Sequence, residues 1–68
     1  MTQHALKTYA QSIEEFAEKL LVRGDFENGL DRLDTALDLY QTGNMQEDVQ
    51  RIQRRIDEAE KQQDMAQA

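Results

Sequence analysis

The sequence predicts an all-α fold, an antiparallel helical hairpin followed by a third helix. The chain of 68 residues contains no Pro, the residue that interrupts helices most strongly. Apolar residues recur three and four positions apart in three long segments, as they do on one face of a helix. Short breaks at Gly24-Asp25 and at Thr42-Gly43-Asn44 separate these segments. Consecutive helices joined by such short turns must fold back on one another.

The first predicted helix begins near Thr2 or Gln3 and ends near Arg23. Gly24 is expected to adopt the left-handed conformation that closes the helix, because it has no Cβ to clash there. One face of this helix is apolar for more than four turns. Its members are Leu6, Tyr9, Ala10, Ile13, Phe16, Ala17, Leu20 and Leu21.

The second predicted helix runs from Phe26 to Gln41, with Asp25 as its N-cap. Gly29 lies in the middle of its apolar face, where glycine is a poor helix former. We therefore expect the first helix to approach very closely at Gly29. Gly43 is predicted to end the helix. The polar face is acidic and is interpreted as a solvated surface rather than a calcium site. It comprises Glu27, Asp31, Asp34 and Asp38.

The third predicted helix starts after Asn44, which is expected to be its N-cap. Its apolar positions form a narrow seam like the edge of a coiled coil. We predict that Val49, Ile52 and Ile56 in this seam form an oligomer interface. The pattern fades after Lys61, so residues 1–62 are assigned to one three-helix domain and residues 63–68 to a frayed tail.

Composition limits the function classes. A chain this short buries only about 60% of its unfolded surface, so we expect a protein partner or a second copy, a homodimer being favoured. The net charge of −6 argues against nucleic acid, whose phosphates attract Lys and Arg. The sequence has no Cys and no signal-like or membrane-length apolar run. A cytoplasmic protein without membrane contact is expected.

Residues able to perform catalysis are scarce. His4 is the single histidine and Ser12 the single serine, and no suitable base neighbours Ser12 on its helix. Neither a metal motif nor a glycine-rich phosphate loop is present. We predict that the protein is not an enzyme and has no cofactor or metal. The one basic cluster is expected to pair with acids of its own helix or of a second copy. It consists of Arg51, Arg54 and Arg55.

The hairpin resembles a tetratricopeptide repeat, a 34-residue helix–turn–helix unit. Gly24-Asp25-Phe26 matches the Gly-Asp-Tyr turn of that family. Large and small residues then match in size on both helices, at Ile13, Phe16, Ala17, Leu20, Gly29, Leu33, Ala36 and Leu37. Ile13 in place of Trp and Gln41 in place of Pro depart from the pattern. The resemblance covers one repeat, residues 10 to 43, and the third helix resembles the capping helix of such arrays.

Two other classes resemble this chain. The microtubule-interacting-and-trafficking domain is a three-helix bundle of similar length, and Ile56-Asp57-Glu58-Ala59-Glu60-Lys61 is similar to the end of its third helix. The short connection at Thr42–Asn44 departs from that domain. Small acidic chaperones of secretion systems are similar in size, charge and helicity. A structural self-assembly protein is a further alternative.

The repeat resemblance implies a partner-binding groove along the first helix. Its positions are Gln11, Glu14, Glu18, Leu21 and Val22. Repeats that clamp a C-terminal carboxylate have Lys and Asn at the places of Glu14 and Glu18. The reversed charge implies that acidic C-terminal tails do not bind and that a basic or mixed amphipathic helix fits better. Preferential binding of an acidic C-terminal peptide in a titration would contradict this expectation.

Overall fold

Three helices make up the computed structural model, which describes residues 2–67. They are α1 (Gln3–Val22), α2 (Phe26–Thr42) and α3 (Gln46–Gln67). The all-α prediction is confirmed, and the packing of α2 against both α1 and α3 matches a hairpin with a third helix added. Because each connection reverses the chain, α1 and α3 run in the same direction.

The first two helices begin where the sequence predicts, and a side chain caps each of them. The Thr2 hydroxyl accepts a hydrogen bond from the Ala5 amide at 3.1 Å. The Asp25 carboxylate accepts one from the Asn28 amide at 3.4 Å. Each cap satisfies a backbone donor that has no partner inside its own helix.

The turn between α1 and α2 has the predicted left-handed glycine. Gly24 has a φ of +82° and donates its amide hydrogen to the Leu21 carbonyl at 3.0 Å. The next amide, of Asp25, bonds to the Leu20 carbonyl at 2.9 Å. These two bonds define a Schellman motif.

The turn between α2 and α3 repeats that motif with a different residue in the left-handed position. Asn44 has a φ of +57°, and the Met45 amide bonds to the Tyr40 carbonyl at 2.9 Å. Gly43 does end α2 as its C-cap, as predicted, but it is not the left-handed residue of the turn, and the prediction that Asn44 caps α3 was wrong. Asparagine tolerates the left-handed region better than most residues, so the turn closes one residue later. Gly43, with a φ of −86°, lies against Leu6 of α1 instead.

α1 approaches α2 very closely at Gly29, as the sequence predicts. A Cβ atom on Gly29 would lie 2.6 Å from Leu21 Cδ2 and 2.9 Å from Leu21 Cγ. The absence of a side chain therefore lets Leu21 pack directly on the α2 backbone. The core continues from this contact along both sides of α2. Its buried members are Ala10, Ala17, Leu21, Leu33, Ala36, Tyr40, Val49, Ile52 and Ala59.

The third helix is longer than the sequence pattern suggests. It continues to Gln67, through most of the stretch that we expected to fray (63–68). Ala68 lies outside the described residues. Val49, Ile52 and Ala59 face the core, whereas the opposite side of α3 is exposed and, apart from Met65 near its end, largely polar. The seam that the sequence placed at an oligomer interface is thus used to hold α3 on the hairpin.

Candidate functional site

An open groove lies between α1 and α3, on the side of α1 that the repeat resemblance implicates. It has a volume of about 470 Å³. Its lining is almost entirely charged: Lys7, Gln11, Glu14, Glu15, Glu18, Asp48 and Arg51. We call it the charged groove. Of the five predicted partner-binding residues, three therefore line it.

The other two predicted groove residues lie elsewhere. Val22 is exposed over 87% of its surface and lies near the C-terminal end of α1. Leu21 is buried against Gly29, so its side chain belongs to the core of the hairpin and is not available to a ligand. A Leu21 substitution would consequently disturb the fold before it disturbed any binding.

Glu14 is the centre of a hydrogen-bond network that joins all three helices. The Tyr40 hydroxyl donates to its Oε1 atom at 3.0 Å, and Arg51 donates to both carboxylate oxygens, at 3.0 Å for Oε1. Arg51 also bonds to Asp48 at 2.9 Å, and Asp48 is 3.6 Å from Lys7 Nζ. The hydrogen bonds to Glu14 raise the pKa of Arg51 above its ordinary range. This network fixes α3 beside α1.

A second ion pair extends the network by one helical turn. Arg55 donates to both oxygens of Glu18, at 2.7 and 2.8 Å. It also lies 3.9 Å from Glu58. Pairs this exposed each contribute about 1 kcal/mol or less to stability. A ligand that used Glu14 or Glu18 would have to compete with the arginines of α3.

The basic cluster pairs with acids of its own helix, as expected, but only in part. Arg51 and Arg55 do pair with acids of their own helix, Asp48 and Glu58. Their main partners, however, are Glu14 and Glu18 of α1, 37 residues away. No local spacing rule relates residues so distant in the sequence. Both pairs are separated by 37 residues. This equal separation is the one feature of the sequence that indicates the pairing, and it can be interpreted only when α1 and α3 are known to be parallel.

Tyr40 provides a spectroscopic test of the network. Burial, and then its hydrogen bond to Glu14, raise the pKa of Tyr40 from 10.0 to about 12. Because this folded-state pKa exceeds that of an unfolded chain, the neutral phenol stabilises the fold below pH 10. This contribution is lost as the pH rises from 10.0 towards 12.

We expect a Tyr9→Phe variant, in which Tyr40 is the one remaining tyrosine, to show phenolate absorbance with a midpoint near 12. Adding Glu14→Gln should lower that midpoint, because the carboxylate that opposes ionisation is gone. Circular dichroism measured in parallel shows whether the chain is still folded. A folded Tyr9→Phe chain that titrates at 10.0, the ordinary value, would contradict the buried, hydrogen-bonded phenol.

The predicted oligomer interface is occupied within the chain. Ile52 is fully buried and Val49 nearly so, and Ile56 packs against the same core. In the single chain these side chains pack in the core that α3 shares with α2.

The exposed apolar surface lies on the opposite side of the hairpin from α3. Tyr9 and Phe16 are 52% and 50% exposed. Tyr9 is two residues from Lys7, and Phe16 is two residues from Glu18; both Lys7 and Glu18 pair with side chains of α3. Two residues correspond to about 200° around a helix. They therefore point away from α3. With partly buried neighbours they form the apolar face, defined as Tyr9, Ile13, Phe16, Leu30 and Leu37.

An acidic row borders the apolar face on α2. Glu27, Asp31, Asp34 and Asp38 are all exposed and recur four, three and four positions apart; we call them the acidic stripe. Asp34 lies four residues after Leu30 and three before Leu37, so it neighbours both on the helix surface. Within residues 2–67, no ion pair involves any of these carboxylates. The stripe is open to a ligand in a way that Glu14 and Glu18 are not.

The residues considered for catalysis stay apart. His4 and Ser12 are both exposed on α1, and the Ser12 hydroxyl donates to the Tyr9 carbonyl at 2.7 Å. Over residues 2–67, no three acidic or histidine side chains converge closely enough to hold a metal ion. None of the helices described there is both long and apolar enough to cross a bilayer.

The comparisons with known proteins add no relative. The chain matches no family model, no curated protein and no solved structure. The likeness to a tetratricopeptide repeat therefore rests on the residues of this chain alone.

Proposed function

We propose that this chain is a non-enzymatic protein-interaction module, an adaptor or small chaperone that binds a segment of a partner protein. The observation that carries the proposal is the apolar face, with its two half-exposed aromatic side chains. Apolar patches that remain exposed on folded proteins commonly mark interaction sites. Large aromatic residues also contribute most of the binding energy at protein interfaces.

The binding surface of this proposal differs from the one implied by the repeat resemblance. In the charged groove, Glu14 and Glu18 are paired with Arg51 and Arg55, and Leu21 is buried. The apolar face has no such internal partner among residues 2–67. We therefore propose that the main contact with a partner is made there, and that the charged groove chiefly holds α1 and α3 together.

Structural self-assembly is the second candidate, and it would use the same surface. The coiled-coil edge on α3 packs in the core, and the exposed side of α3 is largely polar, with Met65 as its large apolar residue. A homodimer would then bring the apolar faces of two copies together. Light scattering at micromolar concentration separates this case from a monomeric adaptor.

Affinity capture with matched baits tests the proposed function. Phe16→Ser should abolish retention of the partner, because it removes a central apolar contact. Val22→Ser should retain it, because Val22 is exposed but lies six residues from Phe16, on another side of α1. Circular dichroism confirms that both baits are folded, and calorimetry with the purified partner gives the affinities. Equal retention by the two variants would refute binding through the apolar face.

A further inference from the structure

Charged residues flank the apolar face, and their sign indicates which class of ligand would fit it. On the α2 side the acidic stripe supplies four exposed carboxylates. On the α1 side, Lys19 lies three residues from Phe16 and so neighbours it on the helix surface. A ligand that covered Tyr9 and Phe16 would therefore lie alongside a row of negative charge that makes no ion pair within residues 2–67.

We propose that the apolar face binds a basic amphipathic helix of a partner protein, with Lys or Arg along one edge placed over the acidic stripe. This inference rests on the proposed function and names the partner's chemistry. Tyr9 and Phe16 are seven residues apart, two turns of α1, and Leu30 and Leu37 have the same separation on α2. The apolar residues of the face therefore form one row on α1 and one on α2, each two helical turns long. A docked helix with apolar residues at positions i, i+3, i+4 and i+7 has an apolar stripe of the same length.

A second copy of the chain fits this surface less well. The chain carries a net charge of −6, and a symmetric contact would bring two acidic stripes to the rim of one interface. Lys19 and Arg23 are the cations that the opposite border could offer, against four carboxylates of the stripe. The outer side of α3 fits the face no better, because within residues 2–67 Met65 is the one large apolar side chain strongly exposed on that helix. Charge complementarity thus favours a basic partner.

Two designed helical peptides provide the test. Both have Leu at the i, i+3, i+4 and i+7 positions; one has Lys along one edge and the other has Glu at the same places. Each peptide is titrated into the full chain and the heat of binding is measured by calorimetry. The Lys peptide should bind, and the Glu peptide should bind at least ~10-fold more weakly. Raising the salt concentration should weaken binding of the Lys peptide.

Protein variants then locate the contact. Asp34→Asn with Asp38→Asn should weaken binding of the Lys peptide about fivefold, since two partly exposed charge pairs are lost. The matched control, Asp57→Asn with Glu60→Gln, removes two exposed charges from α3 and should leave the affinity unchanged. Phe16→Ser should remove binding altogether.

The outcomes are distinguishable. Equal binding of the two peptides, or equal effects of the two double variants, would overturn the basic-helix inference while leaving an interaction surface in place. A dimer that dissociates on Phe16→Ser, without peptide binding, would show that the occupant is a second copy. Failure of both peptides to bind a chain that is monomeric would overturn this inference. If, in addition, the Phe16→Ser and Val22→Ser baits retained the same proteins, the proposed function would be refuted as well.

Discussion

Replacing Ile52 with Asp should unfold the three-helix structure even in a dilute, monomeric chain. Ile52 is fully buried between α3 and the hairpin. Removing a buried aliphatic side chain costs about 2 to 5 kcal/mol, and an unpaired buried carboxylate adds to that cost. A single core of this size rarely supplies more than about 3 to 5 kcal/mol in total. Urea denaturation followed by circular dichroism measures the loss.

Gln53→Asp is the matched control for this experiment. It introduces the same charge one residue later, on the exposed side of α3, and should change the free energy of unfolding by less than about 0.5 kcal/mol. If Ile52→Asp kept wild-type stability but dissociated an oligomer, the seam would be an interface between copies, as the sequence predicted. Measuring stability and mass on the same samples separates the two cases.

Truncating Tyr40 should have the second large effect. Tyr40 is fully buried in α2, its hydroxyl donates to Glu14, and Arg51 lies 5.8 Å from the ring centroid. Tyr40→Ala should lower the free energy of unfolding by about 3 to 5 kcal/mol, because it leaves a cavity and removes the support for Glu14. Tyr40→Phe removes only the hydroxyl and should cost about 1 kcal/mol.

Tyr9→Ala controls for the loss of an aromatic ring as such. Tyr9 is half exposed on α1, so its removal should cost less than about 1 kcal/mol. A Tyr9→Ala loss as large as that of Tyr40→Ala would mean that the apolar face is not a surface at all. A Tyr40→Phe loss near zero would instead remove the energetic role of the bond to Glu14.

Several features of the fold follow from local sequence. Gly24 and Asp25 determine how α1 ends and α2 begins, because a left-handed residue and a side-chain cap are local requirements. Gly29 marks the close approach of α1, because a glycine inside a helix is tolerated where a neighbouring element needs the space. The second turn was predicted less well. Gly43 and Asn44 can both adopt the left-handed conformation, and the sequence does not show which one does.

The surfaces could be predicted only in part. Eight apolar residues of α1 fall on one stripe, and the pattern alone treats them as equally buried. The structure buries Ala10 and Ala17 but leaves Tyr9 and Phe16 half exposed. The stripe is wider than one neighbouring helix can cover, and α3 lies on the other side of α1. Which part of it stays open depends on where α3 docks.

The sequence by itself determined the three helices, most of their ends and the hairpin, because these depend on contacts between residues close in the chain. Tertiary structure decided the roles of the charged and apolar surfaces. Glu14 and Glu18 became internal partners of Arg51 and Arg55, and Ile52 became part of the core. These roles depend on side chains tens of residues apart, which meet only after α3 has packed in parallel beside α1.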